Sequence, residues 1–155
     1  MAEGLTVGDQ APDLTLPTDG GGTIALSRLR GGKVVLFFYP KDDTSGCTRE
    51  AVDFTAEAAA FAAAGATVIG ISRDSVRSHD AFKAKHGLSV TLASDVDGAV
   101  CQAFGVWVEK SLYGRRYMGV DRTTFLIGPD GRIVQVWRKV KVPGHVDAVL
   151  KALRS

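Results

Sequence analysis

Apolar residues along this chain fall into short unbroken runs, stretches with helical spacing and alternating segments, which follow one another in a regular order. Val34-Val35-Leu36-Phe37-Phe38-Tyr39 is the densest run, branched and aromatic, as in a strand buried on both faces. It breaks at Pro40, which has no N–H to give a sheet ladder. Lys41-Asp42-Asp43-Thr44-Ser45-Gly46 is polar and rich in residues that turns and helix starts prefer. Cys47 follows. Ala51, Phe54, Ala58 and Phe61 then fall at helical spacing in an alanine-rich segment, expected to run as one helix to Ala64 with Gly65 as its C-cap. Ala66 to Ser72 reads as a second buried strand. Ser75 caps a helix from about Val76 to His86, ended by Gly87. Val90 to Ala93 is a third short strand, and Asp95 or Asp97 begins a short helix through Phe104, stopped by Gly105.

The two ends differ from this middle. Near the start, Asp13-Leu14-Thr15-Leu16 alternates as a strand should, and Thr23-Ile24-Ala25-Leu26 reads as its hairpin partner across Gly20-Gly21-Gly22. Neither these glycines nor Gly31-Gly32 sits in a phosphate-binding pattern, so they read as turns. In the last third, Tyr113 to Val120 and Thr123 to Ile127 read as strands. Gly128-Pro129-Asp130-Gly131 is a hairpin turn, Arg132 to Trp137 the returning strand, and Pro143-Gly144-His145 introduces a closing helix, Val146 to Leu153. A βαβ half followed by a ββα half predicts an α/β protein. The expected architecture is a thioredoxin-like fold with an N-terminal β-hairpin extension and a central mixed sheet flanked by helices. A length of 155 residues suits a single domain spanning 1–155 with a real core.

Composition narrows the classes without choosing among them. The chain is 45% hydrophobic and 23% charged, with a net charge of +2, an ordinary globular balance. The one basic cluster, Arg138-Lys139-Val140-Lys141, ends a strand pattern and reads as a solvated edge, so no nucleic-acid partner is expected. No apolar run approaches membrane-spanning length, and Met1-Ala2-Glu3-Gly4 carries neither the basic nor the apolar part of a secretory leader. Two widely separated cysteines suit a reducing compartment, and the cytoplasm is the expected location. His79, His86 and His145 lack metal-ligand spacing and are expected at helix ends and on the surface. Trp107 reads either as a rim residue or as a core or interface residue.

The chemistry centres on Cys47, placed where a buried strand has ended and a helix begins. The first N–H groups of a helix have no intrahelical acceptor and carry partial positive charge, so a thiolate at such a point is favoured over the thiol. Its polar neighbours Ser45, Gly46, Thr48, Arg49 and Glu50 argue against an inert core cysteine. Thr44 can serve as N-cap or as a hydroxyl donor to a bound oxygen. Thr44-Ser45-Gly46-Cys47 stands where a thioredoxin carries Cys-x-x-Cys, and with threonine first, dithiol exchange within the motif is closed.

Pro40-x-x-x-Thr44-x-x-Cys47 resembles the peroxiredoxin active-site motif, and Tyr39-Pro-Lys-Asp-Asp-Thr-Ser-Gly-Cys-Thr-Arg-Glu50 is similar to the bacterioferritin-comigratory-protein, or Q-type, branch. The resemblance runs from Gly8-Asp-Gln-Ala-Pro-Asp-Leu14 to the last strand and helix. It implies a thiol peroxidase reducing hydrogen peroxide and organic hydroperoxides, in which Cys47 becomes a sulfenic acid, with roles in antioxidant defence and redox homeostasis. Gly119-Val-Asp-Arg-Thr-Thr-Phe125 resembles the segment supplying the active-site arginine, which makes Arg122 the partner of the thiolate. Without the resemblance, Arg122 reads equally as a surface ion pair. By the same resemblance Pro40 shields the thiolate and Glu50, one turn past Cys47, orients the arginine. No cofactor or metal is implied.

The branch's resolving cysteine is missing. Position 52, five residues past Cys47, is valine, and the alternative region on the next helix, near Phe82-Lys83-Ala84, has none. Cys101 is the remaining thiol, either an inert buried residue or a resolving one. If inert, thioredoxin, glutaredoxin or a small thiol must recycle the enzyme. The branch implies a monomer, with a dimer left open. Two rival readings keep the fold and change the use: a peroxide-sensing redox relay, and a non-enzymatic binding or chaperone module with an incidental Cys47.

Overall fold

The computed structural model describes residues 5–155, so the reading of Met1–Gly4 as lacking a leader falls outside the described residues. The chain opens with the expected short hairpin, β1 (Thr15–Pro17) against β2 (Thr23–Ala25). β3 (Lys33–Phe38) follows and becomes the middle of a five-stranded sheet. β4 (Ala66–Ser72) lies parallel to it, and β5 (Thr91–Ser94) lies parallel to β4. On the other side, β8 (Thr123–Ile127) runs antiparallel to β3, and β9 (Ile133–Trp137) closes the edge antiparallel to β8. The sheet is therefore mixed, as expected, with order β5-β4-β3-β8-β9.

Among the described residues five α-helices flank it: α1 (Ser45–Ala56), α2 (Ala58–Ala63), α3 (Val76–His86), α4 (Ala99–Ala103) and α5 (His145–Arg154). Alternation along β3 splits the interior into two layers. Val34, Leu36 and Phe38 join Leu14, Leu16, Leu26, Cys101 and Phe104 on the face of the hairpin and α4. Val35, Phe37 and Tyr39 join Cys47, Phe54, Phe61, Phe82 and Val149 on the other, against α1, α2, α3 and α5. Side chains of successive residues point to opposite faces of a sheet, so one unbroken apolar run feeds both cores. Phe37 stacks on Phe54 at 4.6 Å and lies across Gly70 of β4, where a Cβ would come within 2.6 Å of its ring. Each buried phenylalanine of this kind contributes about 2–3 kcal/mol.

The structure revises several expected boundaries. The alanine-rich segment is two helices, because Glu57 leaves the helical region (φ −103°, ψ 15°). High helix propensity alone did not keep the axis straight; packing Phe54 and Phe61 together in one layer accompanies the bend. Residues 113–120 are not a lone strand. β7 (Arg115–Val120) pairs with an unforeseen β6 (Trp107–Leu112) across a Tyr113-Gly114 turn with both φ values positive. Trp-Val-Glu-Lys-Ser-Leu alternates poorly because this two-stranded ribbon is mostly solvated. Trp107 is half-buried at its base, under the Arg73 guanidinium at 4.6 Å. The Ser75 cap and the Gly87 stop of α3 stand as expected, with Ser75 Oγ accepting from Ser78 N and Gly87 left-handed at φ 62°. No helix of the described residues is long and apolar enough to cross a membrane.

Candidate active site

Residues 40–44 carry the chain from the end of β3 to the start of α1, and side chains beneath them set the loop's shape. The buried Asp42 carboxylate accepts from Tyr39 Oη (2.6 Å) and Ser78 Oγ (2.8 Å) and lies 2.7 Å from His79 Nδ1. His79 Nε2 is 3.0 Å from the Ala93 carbonyl, so both ring nitrogens face acceptors. Burial, then the Asp42 carboxylate, push the Tyr39 phenol well above its ordinary range. Asp43 adopts φ 61°, a left-handed conformation held by Lys85 Nζ at 2.7 Å and His86 Nε2 at 2.8 Å. Those two hydrogen bonds also keep its carboxyl below the usual range. Two consecutive loop residues are thus pinned to α3.

Thr44 is the N-cap of α1 by position, extended at φ −93° and ψ 157°, and its carbonyl accepts from Thr48 N at 2.8 Å. Its hydroxyl does not cap a helix N–H; it donates to the Lys41 carbonyl at 2.9 Å. The hydroxyl oxygen consequently keeps acceptor capacity towards the loop. Pro40 is exposed at the loop's start. Cys47, in the first turn of α1, is 1% exposed.

Arg122 enters from the connection between β7 and β8. Its carbonyl accepts from Val140 N at 3.0 Å, and the preceding Asp121 N donates to the Val106 carbonyl at 2.7 Å, which fixes the backbone from two sides. The guanidinium spans two acceptors: Nη2 is 3.2 Å from Cys47 Sγ and Nη1 is 2.8 Å from Glu50 Oε1. Gly46 makes room for it, since a Cβ there would lie 3.1 Å from Nη2. Burial opposes the charge of Arg122, but Cys47 and Glu50 together outweigh burial and raise its pKa. Glu50 is fully buried, and burial lifts its carboxyl to about 7 against the opposing pull of Arg122. The site can therefore hold a sulfur anion beside a fixed cation, with the free N–H groups of a helix start close by.

Known proteins resemble this chain along most of its length. The model of the AhpC/TSA family matches residues 7–136. Peroxiredoxin Bcp of Xanthomonas campestris pv. campestris is 52% identical over 143 residues, 92% of this chain and 89% of the relative. Peroxiredoxin Bcp of Bacillus subtilis is 46% identical over 151 residues, 97% of this chain and 96% of the relative. The chain is a member of the peroxiredoxin (AhpC/TSA) family. Solved structures agree. A structure of Xanthomonas campestris peroxiredoxin Q superposes with a TM-score of 0.90 at 48% identity, covering 99% of this chain and 98% of that one. The bacterioferritin comigratory protein of the same organism, described for its alkyl peroxide reduction activity, gives 0.87 at 51% identity over 91% and 90%. As a peroxiredoxin, the protein is a thiol-dependent peroxidase whose reaction joins a hydroperoxide and a reducing thiol.

In this peroxiredoxin the structure brings Cys47, Arg122 and Glu50 into direct contact and places Thr44 and Pro40 on the adjoining loop. It does not bring Cys101 to them. Cys101 is fully buried on α4 in the opposite layer, so the central sheet separates the two thiols. Burial, then the neighbouring Asp95 carboxylate, push the Cys101 thiol far up. Position 52, where the branch's resolving thiol is expected, is partly exposed at 38% on the outside of α1. The surface part of the histidine reading is corrected at two positions: His79 and His145 are 0% and 6% exposed, although His145 does stand at a helix end, opening α5. His145 was legible only as the residue before a helix. Its position against Glu50 and Thr124 depends on strands and helices distant in sequence.

Proposed function

We propose that Cys47 is the peroxidatic thiol and that Arg122, Thr44 and the loop's backbone N–H groups stabilise its reaction with hydrogen peroxide and organic hydroperoxides. The observation that carries this reading is the single guanidinium holding both Cys47 Sγ and the buried Glu50. A fixed cation beside the sulfur offers donors to charge developing on the departing oxygen. The sulfur lone pair forms an S–O bond as the O–O bond breaks. The transferred oxygen keeps its proton, giving a sulfenic acid, and the departing alkoxide or hydroxide takes a proton from water. Thr44, its own proton committed to Lys41, accepts the hydroperoxide O–H and so aims the terminal oxygen at sulfur. Pro40 covers the approach, and Glu50 orients Arg122.

Cys101 takes no part in this cycle. Its burial across the sheet supports resolution by an external thiol, thioredoxin, glutaredoxin or a small thiol, with the protein acting as a cytoplasmic monomer. The same separation favours one second use. A sulfenic acid without an internal resolving partner lasts long enough to be passed to another protein's thiol, as in a peroxide relay.

Intact-mass spectrometry of the reduced protein after one equivalent of hydrogen peroxide tests the reading. The expected product gains one oxygen, traps with a sulfenic-acid reagent at Cys47, and is absent from Cys47→Ser. Absence of a fast reaction at Cys47 refutes the peroxidatic assignment.

A further inference from the structure

Beneath the reacting groups lies a buried polar cluster that the proposed mechanism does not use. Glu50 Oε1 is held by Arg122, but Oε2 is buried with no hydrogen-bond partner. A buried carboxylate oxygen left this way is costly unless it carries a proton or finds a donor. A polar atom facing it is His145 Nε2, 3.9 Å away, itself 2.8 Å from Thr124 Oγ1. The imidazole is wedged edge-on between Phe54 (6.3 Å) and Trp137 (5.8 Å), and the His145 backbone N donates to the Val142 carbonyl at 3.0 Å. The ring is therefore fixed in place while its Nε2 proton is not: either tautomer fits the Thr124 hydroxyl, which can donate or accept.

We propose that His145 is a positioning residue that governs whether the buried Glu50 carboxyl carries its charge, and thereby how firmly Arg122 is anchored beside the Cys47 sulfur. With Nε2 protonated, the ring offers its N–H towards an ionised Oε2. With Nε2 bare, it offers an acceptor for a protonated one. Other titratable groups acting on Glu50 are Arg122 from the β7–β8 connection and Asp53 from α1 itself, with Cys47 on the far side of the guanidinium. His145 stays neutral in this setting, because burial first and Arg122 second depress it to about 4. It acts through the direction of its ring N–H dipole across the 3.9 Å gap to Oε2, not through a net charge. The inference rests on the Cys47–Arg122 reading for its consequence, but not for its test.

That test is the titration of the Glu50 carboxyl, followed by carbon-13 NMR in the reduced protein and assigned with Glu50→Gln. The midpoint expected near 7 rises by about one pH unit in His145→Phe, which removes the donor, and returns towards the wild-type value in His145→Gln. Thr124→Val frees Nε2–H for Oε2 and moves the midpoint down, an opposite shift that keeps the test open if the phenylalanine variant does not fold. In parallel, the pH profile of Cys47 sulfenate formation shifts with the carboxyl midpoint. A folded variant set in which the Glu50 midpoint stays within measurement error overturns the proposal. A moved midpoint with no sulfenate formation in wild type overturns the peroxidatic reading instead.

Discussion

Gly46→Ala separates the role of the arginine fork from the stability of the helix that carries the thiol. Gly46 lies in the first turn of α1 and is not among the residues with positive φ, so alanine suits its backbone. Replacing a helical glycine by alanine stabilises by about 0.5–1 kcal/mol. The new methyl carbon would stand 3.1 Å from Arg122 Nη2, closer than carbon and nitrogen prefer. The guanidinium cannot swing freely away, because Nη1 is tied to Glu50 at 2.8 Å and the Arg122 carbonyl to Val140. It must give by a few tenths of an ångström, and the contact that lengthens is Nη2 to Sγ, now 3.2 Å. A charge-assisted hydrogen bond is worth about 1.5–3 kcal/mol. Losing roughly half of it in the transition state slows the reaction about fourfold to twelvefold. Stopped-flow measurement of peroxide reduction, beside a thermal melt, reads both effects. The expected result is a slower enzyme with an equal or higher melting temperature. A variant as fast as wild type refutes the claim that Arg122 acts through this contact.

Three further outcomes follow from the same geometry. Cys101→Ala gains one oxygen on peroxide treatment as wild type does; loss of two hydrogens in wild type, abolished by the substitution, would show that the sheet does not separate the thiols in the cycle. Asp42→Asn leaves His79, Tyr39 and Ser78 facing an altered partner and costs about 3–5 kcal/mol of stability in a denaturant titration; a loss under 1 kcal/mol means the loop is held by other contacts. His145 is depressed in the folded state, to about 4 from 6.5, so its contribution is present above 6.5 and is lost as pH falls towards 4. That contribution is on the order of 3 kcal/mol. The stability advantage of wild type over His145→Gln should therefore shrink across that window; a constant difference refutes the assignment.

Much of this protein is written locally. The run from Val34 to Tyr39, the break at Pro40 and the residues after it specify a buried strand and a cysteine at a helix start, because strand burial, loss of a ladder donor and helix starts are properties of neighbouring residues. The alternation of strands and helices specifies the α/β class for the same reason. β7 was legible within the strand read at 113–120, but β6 and its pairing were not, since a solvated hairpin has no apolar face to impose a period on its sequence. The division at Glu57 was hidden by alanines that suit a helix on either side of it.

The site's finer chemistry belongs to the tertiary structure. Arg122 meets Cys47 across 75 positions and Glu50 across 72, and nothing around Arg122 distinguishes it locally from a surface cation. Thr44 is at an N-cap by sequence, yet its hydroxyl turns to Lys41 once the loop is pinned by α3. Cys101 and Cys47 read as two thiols of one chain until the sheet stands between them. A side chain's charge, access and partner depend on what packs against it from elsewhere in the chain. Sequence therefore determines which groups are available and the kind of element that carries most of them, and folding alone decides which of those groups meet.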